Sequence, residues 1–250
     1  MRLLGEMTWT DVRAARERAP LVLLPVGSTE AHGPHLPLAT AAILSEELAR
    51  RSAAALEPDG SEVLIAPTIS YALTDYAGEF SGTVSIAADT AARLVSDVCC
   101  SLIGQGFERI GLINSHLEPA HVASLRDACA RVLGRTGRVV AFPDQTERRW
   151  ARTLTDEYKR GACHAGSYET SLLLAARPEL VRDDVRAKLP PLPIDLAKAM
   201  KEGIRTFGEA GAALAYFGDP AAATRAEGDD IYARLVEMVV ATVRETWTSG

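Results

Sequence analysis

No stretch of this chain stays apolar for the roughly 18 residues that a membrane-spanning helix requires, and its opening residues, MRLLGEMTWTDVRAARERAP, lack the apolar core of a secretory leader. Lys and Arg nowhere form a run: 27 basic residues are scattered among 33 acidic ones, leaving a net charge of -6. A phosphate backbone calls for a cationic track, so nucleic acid is not an expected partner. Cysteine is scarce. Cys99, Cys100, Cys129 and Cys163 show neither CxxC spacing nor the density of a disulfide scaffold, so reduced, packed thiols are expected, Cys163 included. Linkers are scarce too, since the proline-bearing KLPPLPID (Lys188 to Asp195) is too short to demand a domain boundary. These absences predict a cytoplasmic protein with no membrane partner, folded as a single domain over residues 1–250, and its 47% hydrophobic content supplies a full core.

What is present alternates between two periods. Short β-rich apolar runs at Leu21 to Val26, Val63 to Ala66, Arg109 to Asn114 and Val139 to Phe142 predict four strands. Between and after them, helical spacing predicts helices over Thr40 to Leu56, Thr90 to Ile103, Pro119 to Leu133, Tyr168 to Ala176 (stopped before Pro178) and Asp229 to Trp247. Strands alternating with helices imply βαβ units, hence an α/β fold around a parallel sheet.

All five histidines fall in three short segments that also carry acids: STEAHGPH (Ser28 to His35), NSHLEPAH (Asn114 to His121) and CHAGSYET (Cys163 to Thr170). The first two begin at the carboxyl ends of predicted strands, where parallel sheets build their ligand sites. Glu30-x-His32 and His116-x-Glu118 each set an imidazole and a carboxylate two residues apart, on the same side of an extended segment. One such pair is weak evidence, because a lone histidine is more often a satisfied polar residue. Two pairs meeting at adjacent strand ends offer the mixed nitrogen and oxygen set that suits Zn, Mn or Fe. His164 and Glu169 can enter the same pocket from the start of the helix near Tyr168, although a first-turn acid is also what the helix dipole favours.

In these segments the sequence resembles the creatininase family. VGSTEAHGPHLPLAT is similar to that family's first metal motif, NSHLEPAH to its second and CHAGSYETSLLLAARPELV, the most specific stretch, to its third; MTWTD and FSGTVSI (Phe80 to Ile86) share its look. The resemblance implies a three-layer α/β/α fold with a mainly parallel central sheet, a homo-oligomer of six copies, and a two-metal centre that hydrolyses cyclic or linear amide C–N bonds. It also implies that Glu30 and His116 hold one ion and His32 and Glu118 the other, with Glu169 a further candidate ligand. His164 would then be an acid-base group, for which its ordinary pKa of about 6.5 is suited.

Two positions depart from the family. The family's HLPL-x-TD ends on an aspartate that bridges both ions, whereas this chain reads HLPLATAA and has Ala41 there. A methyl group cannot ligate, and neither Glu46 nor Glu47 stands at the right position to replace it, so at most one well-occupied ion is expected. An introduced disabling change, a natural one-metal variant and a natural loss of activity all fit the sequence. Second, Arg160 occupies the place of a tryptophan found in creatinine-hydrolysing members. If it lines the pocket rather than facing water, its planar fork favours an anionic or polar small-molecule substrate. Asp75 and Tyr71 are expected to touch that substrate. The leading expectation is a metal-dependent amidohydrolase whose ion-activated water attacks the carbonyl. The alternatives are a metal-impaired homologue that binds a small molecule without turnover, and a hydrolase of a cyclic ketone in sugar metabolism.

Overall fold

Alternate residues of the run Leu21–Val26 go to opposite sides of one sheet: Leu21 and Leu23 join one apolar core, while Val22, Leu24 and Val26 join another. The period-two strand therefore needs cover on both faces, and helices supply it. In the computed structural model, which describes residues 2–57 and 62–247, four parallel strands are ordered β1-β3-β2-β4, with β1 at Arg2–Leu3, β2 at Leu21–Val26, β3 at Val63–Ile65 and β4 at Arg109–Asn114. Helix α1 (Trp9–Arg16) opens on Thr8, whose side chain accepts from the Asp11 N–H. The long helices are α2 (Thr40–Leu56), α3 (Ala88–Gly104) and α4 (Pro119–Thr136). Two four-residue turns, α5 (Arg148–Ala151) and α6 (Asp156–Lys159), lead to α7 (Ser167–Ala176). A third short turn, α8 (Asp183–Arg186), and the short α9 (Leu196–Lys201) precede α10 (Arg225–Trp247).

Leu44, Leu48, Tyr168, Leu172, Ile231 and Leu235 carry α2, α7 and α10 onto one face of the sheet. Ala15, Val95, Cys99, Leu125 and Val132 carry α1, α3 and α4 onto the other. The fold is thus a three-layer α/β/α arrangement with a parallel sheet. Helices α7 and α10 approach closely because position 228 is glycine; a Cβ there would collide with the Ser171 carbonyl oxygen.

Two readings of the sequence need correction. Val139 to Phe142 is not a strand: it contributes one bridge, Ala141 to Gly111, with hydrogen bonds to Ile110 and Leu112. Pro143 follows at once and has no N–H to extend the ladder. Conversely, Arg2–Leu3 adds a strand beside β3 that two residues are too few to signal. The segment between α7 and α10 forms a third apolar cluster, in which Leu196, Phe207, Ala215 and Phe217 pack with Ala31 and Ala77. It lies as a roof over the strand ends.

Candidate metal centre

Pairing Val26 with Asn114 aligns the carboxyl ends of β2 and β4, so the two loops that follow begin side by side. Asn114 folds its own loop back: its Nδ2 donates to the His116 carbonyl at 2.7 Å and its Oδ1 accepts from the His116 N–H at 3.2 Å. On the β2 side, the Glu30 N–H donates to Leu38 O at 2.9 Å and closes the loop before α2. The third segment enters at the start of α7, where Ala165 adopts a left-handed conformation at φ 50°. That strain, of a kind that concentrates at functional sites, turns the Ala165 N–H onto Glu169 Oε2 at 2.7 Å.

The structure brings Glu30, His32, His116, Glu118, His164 and Glu169 to one place, all buried except His164, whose side chain is 11% exposed. Each of the three histidines has one ring nitrogen on a backbone carbonyl: His32 Nδ1 on Glu30 O at 2.9 Å, His116 Nε2 on Leu73 O at 2.8 Å and His164 Nε2 on Ala31 O at 3.0 Å. Donating there orients each ring and, on His32 and His164, leaves the other nitrogen as a lone pair, the outer support that metal-binding histidines use. The remaining nitrogens face acids. His116 Nδ1 is 3.0 Å from Glu30 Oε2, His32 Nε2 is 3.6 Å from Glu169 Oε2, and His164 Nδ1 is 4.0 Å from the same oxygen. Behind His116 stands His121, ring centroids 4.9 Å apart, bonded through Nε2 to Asn114 Oδ1 at 3.1 Å.

Charge follows burial and proximity. Burial alone would raise the Glu30 carboxyl, but the surrounding rings of His116, His164 and His32 outweigh it and hold it well below the usual carboxylate range. Burial opposes a charge on His116, yet the adjoining Glu30 pushes it up to about 9. Burial dominates elsewhere: Glu118 and Glu169 are each raised to about 7, and His32 and His164 are lowered. Glu118 Oε1 accepts from the Asp75 N–H at 3.3 Å, while its buried Oε2 has no hydrogen-bond partner. A buried oxygen without a donor, near the unprotonated nitrogens of His32 and His164, is a set of acceptors that fits a cation.

The three acids and the rings of His116 and His164 line a cavity of about 450 Å³, walled also by Tyr76, Met200, Lys201 and Phe207. Three sequence candidates do not reach it with their side chains. Arg160 points to solvent, 74% exposed with Asp156 at 4.0 Å; Gly161 lines the wall instead. Tyr71 is 53% exposed and off the wall. Asp75 contributes its backbone N–H to Glu118 while its carboxylate takes the Ser85 hydroxyl at 2.6 Å. Tyr76 and Phe207 are the residues that sequence reasoning missed. Tyr76 sits one position from a residue it did select. Phe207 lies in a segment with no motif, yet its ring is 4.5 Å from that of His164.

Comparison with known proteins accounts for this arrangement. The sequence model of the family described as creatinine amidohydrolase matches residues 5–243. A mycofactocin precursor peptide peptidase of Mycobacterium ulcerans is 31% identical over 254 residues, spanning 99% of this chain and 94% of the relative. A creatinine amidohydrolase of Pseudomonas putida is 29% identical over 221 residues, 80% and 84% of the two chains. Among solved structures, a manganese form of creatininase superposes with a TM-score of 0.71 at 26% identity, covering 97% of each chain. With the match extending from residue 5 to residue 243 and the same fold beneath it, this chain belongs to the creatininase family.

Proposed function

We propose that the protein hydrolyses the C–N bond of an amide with the help of a divalent ion bound in the pocket where Glu30, His32, His116, Glu118, His164 and Glu169 meet. The observation that carries this reading is the set of three histidines, each tethered through one nitrogen to a backbone carbonyl and turning the other toward a buried carboxylate. Zn, Mn and Fe all suit that donor set. Such an ion, when bound, polarises a carbonyl and acidifies water. The relatives named above support the class of reaction, since a peptidase and a creatinine amidohydrolase both cut an amide bond.

The chain's own groups supply the rest. Glu118 stands on the cavity wall with one oxygen held by Asp75 and the other free, so it can take a proton from the attacking group and return it to the leaving nitrogen. The upper wall is apolar at Leu196, Met200 and Phe207 and carries one lysine, Lys201. That combination favours a substrate with an apolar body and a carboxylate, as a short peptide has. The anionic preference assigned to Arg160 passes to Lys201.

One observation favours a second reading, binding without turnover: Ala41 is buried at the start of α2 and offers no ligand. A hydrolysis screen separates the two. Metal-loaded protein should cleave at least one of a panel of short peptides and cyclic amides, prefer acid-bearing members, and stop when chelator is added. Failure on every amide, with the ion still bound, sinks the enzymatic reading in favour of the second.

A further inference from the structure

No other acid of α2 can replace a carboxylate at position 41. The start of the helix is pressed onto the end of β2, where a Cβ on Gly27 would collide with the backbone of Ala41 and Ala42, and Ser45 ties the next turn to Val26 O at 2.6 Å and Ala41 O at 2.9 Å. The helix cannot roll. Glu46 is engaged with Arg50 and Thr68, and Glu47 with Arg51. Two dications side by side repel one another unless an anion stands between them, so the second ion loses its support while the first needs another ligand.

His164 is placed to be that ligand. Its Nε2 is held by Ala31, and its one open nitrogen, Nδ1, looks toward Glu169 at 4.0 Å, the oxygen that His32 Nε2 faces at 3.6 Å. Both separations exceed a hydrogen bond. Glu169 therefore bonds neither ring, and both nitrogens keep a lone pair for a cation. Glu30, His32 and His164 further offer ligand atoms that all lie within 4.8 Å of one another. The His164 ring is clamped in this orientation between His32 and Phe207, with centroids 4.5 Å away on either side.

We propose that this chain holds a single divalent ion and that His164 is one of its ligands, with His32 and Glu30, in the share of the coordination that the family gives to residue 41. The assignment rests on the metal-dependent reading above, and its test is separable from the test of that reading. Full-length protein is loaded with Co²⁺, dialysed and read by elemental analysis and by the visible d–d absorption of the bound ion. The parent should retain one Co²⁺ per chain, and His164→Ala should weaken retention by at least roughly 100-fold, beyond the outer-support range. Loss through misfolding is distinguished by a second pair: in an Ala41→Asp background, where residue 41 again supplies a ligand, the same His164→Ala change should leave cobalt bound. Retention of cobalt by His164→Ala with the parent spectrum, or two ions in the parent, overturns the assignment alone. A parent that binds no cobalt overturns both the assignment and the metal-dependent reading.

Discussion

The two sides of the centre differ in how far their groups have already satisfied each other. On one side Glu30 and His116 are in hydrogen-bond contact at 3.0 Å, and each favours the other's charged form. On the other side His32 and His164 stand 3.6 and 4.0 Å from Glu169, too far to bond, with burial disfavouring a proton on either ring. A metal needs its histidines deprotonated. The closed side must therefore give up a proton and a hydrogen bond before His116 can ligate, whereas the two rings of the open side give up neither. Proximity between an acid and a histidine is thus a poor guide to which pair grips an ion more readily, and the longer distances mark the better-prepared half.

The largest effect should come from removing the open half's central ring. His32→Ala is expected to abolish metal retention, with affinity falling by roughly 1,000-fold or more and amide hydrolysis falling with it, because the ligand and its backbone-oriented tautomer vanish together. Elemental analysis after dialysis checks it. A variant that kept its ion would break the comparison at its strongest point.

Glu118→Gln should separate chemistry from binding. The change preserves size and the bond from Asp75 but removes the basic oxygen, so turnover should drop about 100-fold while metal content stays at the parent level. Parallel loss of metal and turnover would instead put Glu118 among the ligands, as the family resemblance also allows. His116→Ala should be milder toward the metal, lowering affinity about tenfold, in the range of an outer support. Its effect would run through Glu30, which loses the partner that orients its carboxylate. If it emptied the site as thoroughly as His32→Ala, the closed half would be the primary one.

The floor of this site was legible in the sequence because simple periodicity places it. Leu21 to Val26 and Arg109 to Asn114 read as core strands, and the acids and histidines that follow them, Glu30, His32, His116 and Glu118, lie where a parallel sheet puts its ligands. His164 and Glu169 were legible from the helix start at Ser167. The roof was not. Its path depends on distant backbone bonds, Phe217 N–H to His164 O at 2.8 Å, Gly33 N–H to Ala215 O at 2.8 Å and the Leu192–Gly218 pair at 2.7 Å, and no local pattern announces them. Arg160 shows the opposite hazard. Its position was read against a family tryptophan, but it caps the one-turn helix α6, where Thr155 holds the first turn and the arginine side chain leaves toward water.

The roof also gives the smallest test, because the open half leans on it. Phe207 packs its ring 4.5 Å from His164, with Phe217 5.3 Å behind it at 78°, an edge-to-face support that keeps the imidazole from turning. Contacts of this kind are worth about 0.5–1.5 kcal/mol beyond the area they bury, which sets an upper bound of roughly tenfold on any equilibrium they bias. Phe207→Leu preserves an apolar contact while removing the flat face, so part of that energy is lost and part of the loss is shared by the metal-free state. Affinity for Co²⁺ should consequently fall by about two- to fivefold, with no change in the effect of His116→Ala when the two substitutions are combined, since separate supports add. Metal titration of the single and double variants measures both quantities. A strong interaction between Phe207→Leu and His116→Ala would mean that the roof braces the closed half as well, and the division between an open and a closed side would have to be abandoned.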